Sequence, residues 1–168
     1  REGCAVLWAW DRSSNAGSRG AHLFREFWRQ AQALPNVYRQ PFDLRRPVET
    51  PTGLNMADAA VASKVWESLA KAVKMVRDAG FALDAPLGSV QRPGTVDEAI
   101  ALHGGEPFEG VLNMQSVRFS PAGLPAGGYR IDYGTSYVQV VGFDERGPRA
   151  RALLTYGQSS DPTSPHAA

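Results

Sequence analysis

Between Asn55 and Gly80, apolar side chains recur at Val61, Val65, Leu69, Ala72, Val73 and Val76. This three-to-four spacing lines all six on one face of an α-helix. Lys64, Glu67, Lys71 and Lys74 fall largely on the other side, with Glu67 and Lys71 at i,i+4 in the favourable order. Asn55 is the expected cap, with Asp58 in the first turn, where the helix dipole favours negative charge. Gly80 is the expected left-handed residue that ends the helix. So long an apolar stripe demands a partner, and the rest of the chain must supply one.

The segment RGAHLFREFWRQAQA repeats the pattern, with Leu23, Phe24, Phe27, Trp28 and Ala31 on one face, Ser18 as the expected cap and Pro35 as the stop. Ahead of it, CAVLWAW (residues 4–10) is apolar without a period and fits either a buried strand or the last turns of a helix. Asp11 to Gly17 reads as a loop. Residues 35–53 hold Pro35, Pro41, Pro47 and Pro51, which predicts an extended connection pinned by Phe42 and Val48.

Residues 81–110 are rich in Gly and Pro. Within them Thr95 and Glu98 spell a capping box for a short helix through Ala101, although Ile100, Leu102 and His103-Gly104-Gly105 fit an extended segment as well. After residue 110 the character turns to β. Val111–Phe119 has β-type content, Tyr129, Ile131 and Tyr133 alternate with Arg130 and Asp132, and Tyr137–Phe143 and Ala150–Tyr156 flank the polar link Asp144–Pro148 like the arms of a hairpin. Pro148 has no N–H for a ladder, so it belongs at a strand start or outside the strand. Helices first and antiparallel strands last make an α+β class rather than an alternating parallel sheet. The chain reads as one segment, 1–168, with 1–110 mainly helix and loop and 111–168 mainly β.

A chain of 168 residues with 43% hydrophobic and 21% charged residues can bury a real core. The net charge is +1, and Arg45-Arg46 is the only adjacent basic pair, which argues against a nucleic-acid surface. No run is long and apolar enough to span a bilayer. The single cysteine, Cys4, closes no intrachain disulfide, and His22, His103 and His166 lack metal-ligand spacing. The chain opens at Arg1 without Met and closes at Pro165-His166-Ala167-Ala168, so it is expected to be a piece of a longer protein.

Candidate chemistry is thin. Ser159, Ser160, Asp161 and His166 crowd one short stretch. A serine nucleophile needs a base and an oxyanion site gathered from distant segments, and there is no GxSxG elbow. The stretch reads as a turn whose Asp and hydroxyls bind local backbone. His103-Gly104-Gly105 and Gly127-Gly128 match neither phosphate-loop pattern and read as tight turns. The neighbours Asp97-Glu98 and Asp144-Glu145 would point apart on most backbones, so neither makes an acid–base pair. Trp8, Trp10, Trp28 and Trp66 are expected in the core, with an acyl-binding pocket as the alternative. No catalytic, cofactor-binding or metal-ligating residue is assigned, and no cofactor is expected.

Several stretches together resemble a known family. LWAWDRSSNAGSRGAHLFREFW, QPFDLRRPVETPTGL, DAPLGSVQ, ALHGG and FEGVLN are similar, in order, to segments late in the β-subunit of penicillin acylase family proteins. GTSYVQVVGFDERGPRARALLTYGQSSDPTSPH most resembles the branch of acyl-homoserine lactone acylases and aculeacin-type acylases. The resemblance covers nearly the whole chain.

It implies an N-terminal nucleophile hydrolase of αββα sandwich fold. In such proteins a precursor cuts itself into α- and β-chains. The new N-terminal serine attacks an amide with its own amine as base, and backbone and an asparagine hold the oxyanion. This chain starts with Arg1 instead of that serine, and neither Asn55 nor Asn113 stands at the oxyanion position, so no catalytic residue carries over. The family's closing run is cut short at His166-Ala167-Ala168.

The resemblance therefore implies a C-terminal β-subunit fragment. Its partners would be the remaining α- and β-chain segments and, in the full enzyme, a small N-acyl substrate. Its location would be periplasmic or secreted. The alternatives are a penicillin or aculeacin-type lipopeptide acylase, and a stand-alone binding or structural domain without catalysis. Strands taken from a larger sandwich would expose edges and apolar faces, so the fragment is expected to self-associate or to be held by another chain.

Overall fold

The computed structural model describes residues 1–94, 100–117, 123–154 and 163–164. Three helices make the first half: α1 (Glu2–Ala9), α2 (Ala21–Ala31) and α3 (Ala59–Asp78). The ambiguous apolar run 4–10 therefore lies mostly in a helix. It shows no period because both sides of α1 are apolar. The core forms where α2 meets α3: Leu23, Phe27 and Ala31 pack with Val61, Val65, Leu69, Ala72 and Val76. Gly3 brings α1 close, since a Cβ there would stand 2.7 Å from Val73 Cγ2.

The caps differ from expectation. Asp58 itself caps α3, its carboxylate accepting from the backbone amides of Ala60 and Val61, while the Asn55 side-chain Nδ2 donates to the Asn36 carbonyl. Asp accepts two amides at once, so it takes the cap and the helix starts later than Asn55 would allow. Gly80 follows the helix at φ +85°, as the sequence predicted. Glu67 accepts from the Ser63 hydroxyl, and Lys74 pairs with Asp78 one turn on. At α2, Gly20 occupies the cap position and no side chain caps the helix. Ser18 is buried in a hydroxyl cluster instead, donating to Asp11 at 3.1 Å and lying 2.6 Å from the Ser13 hydroxyl. Asp11 also accepts from the Ser13 amide, which holds its carboxyl below the usual range.

The proline-rich connection carries two short strands, β1 (Tyr38–Gln40) and β2 (Thr52–Leu54), paired antiparallel with Tyr38 opposite Leu54. Tyr38 meets the Trp28 ring edge-on, which ties the pair to α2. Phe42 and Val48 do not pin this connection: both are exposed, Val48 at 91%. Buried Thr50 does so, accepting from the Asp43 amide and donating to the Arg46 carbonyl at 2.6 Å. The Thr50–Pro51 bond is cis.

A short helix, α4 (Leu87–Val90), leads into β3 (Gln91–Pro93). With β4 (Gln115–Val117) and β5 (Tyr129–Gly134) it forms a three-stranded sheet of order β3-β5-β4. The β3–β5 pair is parallel, which corrects the expectation of antiparallel strands confined to the end. Three short strands, β1 to β3, precede residue 111, and local alternation says nothing of the partner a strand finds from afar. The hairpin is as predicted: β6 (Tyr137–Asp144) and β7 (Gly147–Leu154) pair over eight positions, and Pro148 is the second residue of β7. The proposed helix from Thr95 falls largely outside the described residues.

Candidate functional site

The most elaborate chemistry in the chain starts from two adjacent residues of α2. Arg25 and Glu26 are fully buried. A helix exposes its charged face unless distant groups meet it, and here they do. The Arg25 guanidinium donates from Nε to Glu109 at 2.9 Å, from Nη1 to the Gln91 side chain at 2.8 Å and from Nη2 to the Gly104 carbonyl at 3.3 Å. It also lies 4.7 Å from the centre of the Tyr129 ring. Glu26 accepts from the Tyr129 hydroxyl at 2.5 Å and from Arg29 at 2.8 Å.

Each partner comes from a different segment. Gln91 opens β3, and its amide also donates to the Leu102 and Gly104 carbonyls. Glu109 ends a 3₁₀ turn, Pro107–Glu109, closed by a reciprocal capping box with Glu106. Glu106 in turn accepts from the Val117 amide at 2.7 Å. Gly104 and Gly105 allow the close approach, for a Cβ on Gly105 would stand 2.3 Å from Glu109 Oε2. Tyr129 opens β5.

Burial pushes the Glu109 carboxyl up, and the Arg25 charge and the Glu106 amide pull it back only in part. Its Oε1 has no hydrogen-bond partner among the described residues. Tyr129 is raised well above its usual value, first by burial and then by Glu26, so its hydroxyl stays protonated and donates. His22, three residues before Arg25 on the same helix, is buried with Nε2 2.9 Å from the Ala82 carbonyl, and burial lowers its pKa. With Nε, Nη1 and Nη2 of Arg25 all engaged, this arrangement clamps α2, β3, β5 and the Gly104–Glu109 region together.

Ser159, Ser160, Asp161 and His166 lie outside the described residues, as do Asp97 and Glu98. Gly128 closes a turn onto the Pro125 carbonyl, as the reading of Gly127-Gly128 predicted. Gly104 accepts Arg25 at its carbonyl while its amide binds Ser14. Asp144 pairs with Arg149 at 2.9 Å. Among the described residues no group of three His, Cys, Asp or Glu could hold a metal ion, and no helix is long and apolar enough to cross a membrane.

The tryptophans divide. Trp28 stacks with Phe24, and Trp10 lies 4.7 Å from the same ring. Trp8 and Trp66 are exposed, at 89% and 53%, against the core expectation. They flank an open apolar groove between α1 and α3. A second apolar surface lies on the β6–β7 ribbon. Cross-strand partners share a face, so Tyr137, Val141 and Phe143 stand with Leu154, Ala150 and Pro148 on one side. The opposite side carries Arg149 and Arg151. All of β6 is exposed, and a lone two-stranded ribbon is marginal in water.

The penicillin amidase family model matches residues 1–168. An acyl-homoserine lactone acylase PvdQ of Pseudomonas fluorescens is 41% identical over 97% of this chain, and one of Pseudomonas savastanoi pv. phaseolicola is 37% identical over the same share. The aculeacin-A acylase of Actinoplanes utahensis is 30% identical over 96%. The chain spans only about a fifth of the length of these relatives, 21%, 20% and 19% respectively. With that model matched over residues 1–168, the chain belongs to the penicillin amidase family.

Proposed function

We propose that this chain is the C-terminal part of the β-subunit of an acylase that hydrolyses the amide of N-acyl compounds, acyl-homoserine lactones foremost. The observation that carries the reading is the end-to-end similarity to acyl-homoserine lactone acylases. On this reading the chain is a supporting segment of an αββα sandwich. The nucleophilic serine and the oxyanion donors come from the remaining α- and β-chain segments after self-cleavage of a precursor. The enzyme acts in the periplasm or outside the cell, and its activity degrades a quorum-sensing signal. The exposed β6–β7 ribbon agrees with a segment that serves a site built elsewhere. A second reading, deacylation of a lipopeptide, is favoured by the similarity to the aculeacin-A acylase.

The test begins with intact mass, under denaturing conditions, of the protein isolated from its source. Larger chains, one beginning with Ser, are expected. That material should release free fatty acid and homoserine lactone from an N-acyl-homoserine lactone, read by mass spectrometry. Faster release from a lipopeptide would favour the second reading. A species of 18.2 kDa alone, with no amide cleaved, would overturn both.

A further inference from the structure

A helix that is apolar on every side belongs in an interior, covered all round. Beyond Glu2, α1 is such a helix, yet only one side of it is covered. Gly3 is buried, and Val6 packs against the core. On the other side Cys4 is exposed and Trp8 is 89% exposed. Across from them α3 presents Trp66, which is 53% exposed. The groove between the two helices encloses about 390 Å³, with Leu7, Leu54 and Met56 also on its walls. It runs on past Cys4 into a second hollow of about 470 Å³, rimmed by Arg1, Glu2 and Arg77. Single exposed apolar residues need no explanation, but a continuous apolar channel does.

The occupant follows from size and charge. The relatives extend far beyond this chain, which covers 20% and 21% of two of them, so about four-fifths of each lies elsewhere. The rim has two arginines against one glutamate, and Glu2 already pairs with Arg77. An incoming segment that matches this surface has apolar side chains along the groove and an acidic residue at the Arg1 end.

We propose that the α1–α3 groove seats an apolar, acid-flanked segment from the part of the same acylase polypeptide that lies outside this chain. The proposal rests on the acylase reading. It assigns α1 to an internal interface of the full enzyme, with Trp8 and Trp66 as its anchors.

Cys4 lies in the floor of both hollows and reports on the seat directly. The full-length enzyme would be treated with N-ethylmaleimide, native and denatured, and the peptide containing Cys4 quantified by mass spectrometry. Native modification at least ~10-fold slower than in the denatured protein is expected, because a covered thiol reacts only through local opening. Equal rates overturn the proposal. If the enzyme releases fatty acid while Cys4 reacts at the denatured rate, the groove proposal alone fails. If the source yields only the 18.2 kDa chain, the acylase reading fails and the groove proposal falls with it.

Discussion

The Tyr129 hydroxyl donates a 2.5 Å hydrogen bond to Glu26 across 103 positions of sequence, and the same tyrosine ring lies 4.7 Å from the Arg25 guanidinium. Tyr129→Phe keeps the ring against the guanidinium and removes only the donor. Glu26 is then left with a buried oxygen unsatisfied, at a cost of about 1.5–3 kcal/mol. Denaturant unfolding of the variant should show a lower midpoint with an unchanged slope. No shift of the midpoint would mean that the bond contributes nothing net.

Arg25→Met should cost more, about 3–5 kcal/mol, because it removes the cation paired with the buried Glu109. Arg25→Lys should rescue little, since an ammonium cannot reproduce donation from three edges of a planar fork. The pair Arg25→Met with Glu109→Gln should recover part of the loss, as a double-mutant cycle by denaturant unfolding would show. Full additivity of the two changes would refute the coupling.

His22 makes stability depend on pH. Its folded pKa lies below the ordinary 6.5, because burial disfavours the imidazolium. Below pH 6.5 the unfolded chain takes up a proton that the folded chain refuses, so the folded state loses stability as pH falls from there through the lower folded value. His22→Gln should flatten that slope. Chemical unfolding between about pH 5 and 7 would measure it, and an equal slope in both proteins would assign the effect to other groups.

Gly128→Ala tests the turn into β5. The residue sits at φ +91°, and a Cβ there would stand 2.3 Å from the Val90 carbonyl oxygen. Backbone cannot yield as a side-chain tip can, so a loss of at least ~2 kcal/mol is expected. A melting temperature equal to that of the parent would show that the turn rearranges freely.

Phe143→Asp separates the chain from the enzyme. Phe143 is 81% exposed, so within this chain the change should stay within about 0.5 kcal/mol. If the Tyr137–Val141–Phe143 face is covered in the full-length acylase, the same change should cost it several-fold more in stability. Thermal unfolding of the full-length variant at the parental temperature would show that this face is open to water.

Much of this was legible in the sequence wherever periodicity acted alone. α3 follows its six-residue stripe, with only Val73 half-buried, and the β6–β7 hairpin follows its two β-type runs and the polar turn between them. Boundaries decided by competition between neighbours were not legible. Asp58 outcompeted Asn55, and Ser18 joined Asp11 and Ser13 instead of capping α2. The Arg25 centre was invisible for another reason. The amphipathic pattern of α2 names its apolar face, but nothing local reveals that Gln91, Glu109 and Tyr129 will arrive to take in its charges. A parallel strand pair such as β3–β5 hides in the same way, because its register is written across a long crossover. Trp8 and Trp66 misled through composition, since apolar type predicts burial without saying in which molecule the burial occurs.

The Arg25 centre also sets an order of events during synthesis. Its donors and acceptors stand at residues 25, 26, 91, 104, 109 and 129. When α2 has left the ribosome, most of the groups that neutralise Arg25 and Glu26 have yet to be made. The helix must therefore wait with two charges turned toward its future core until Tyr129 emerges. Until then α2 can dock on α3 only incompletely, and a nascent chain halted before residue 129 would hold its charges in water and its apolar stripe in the care of whatever chaperone meets it first.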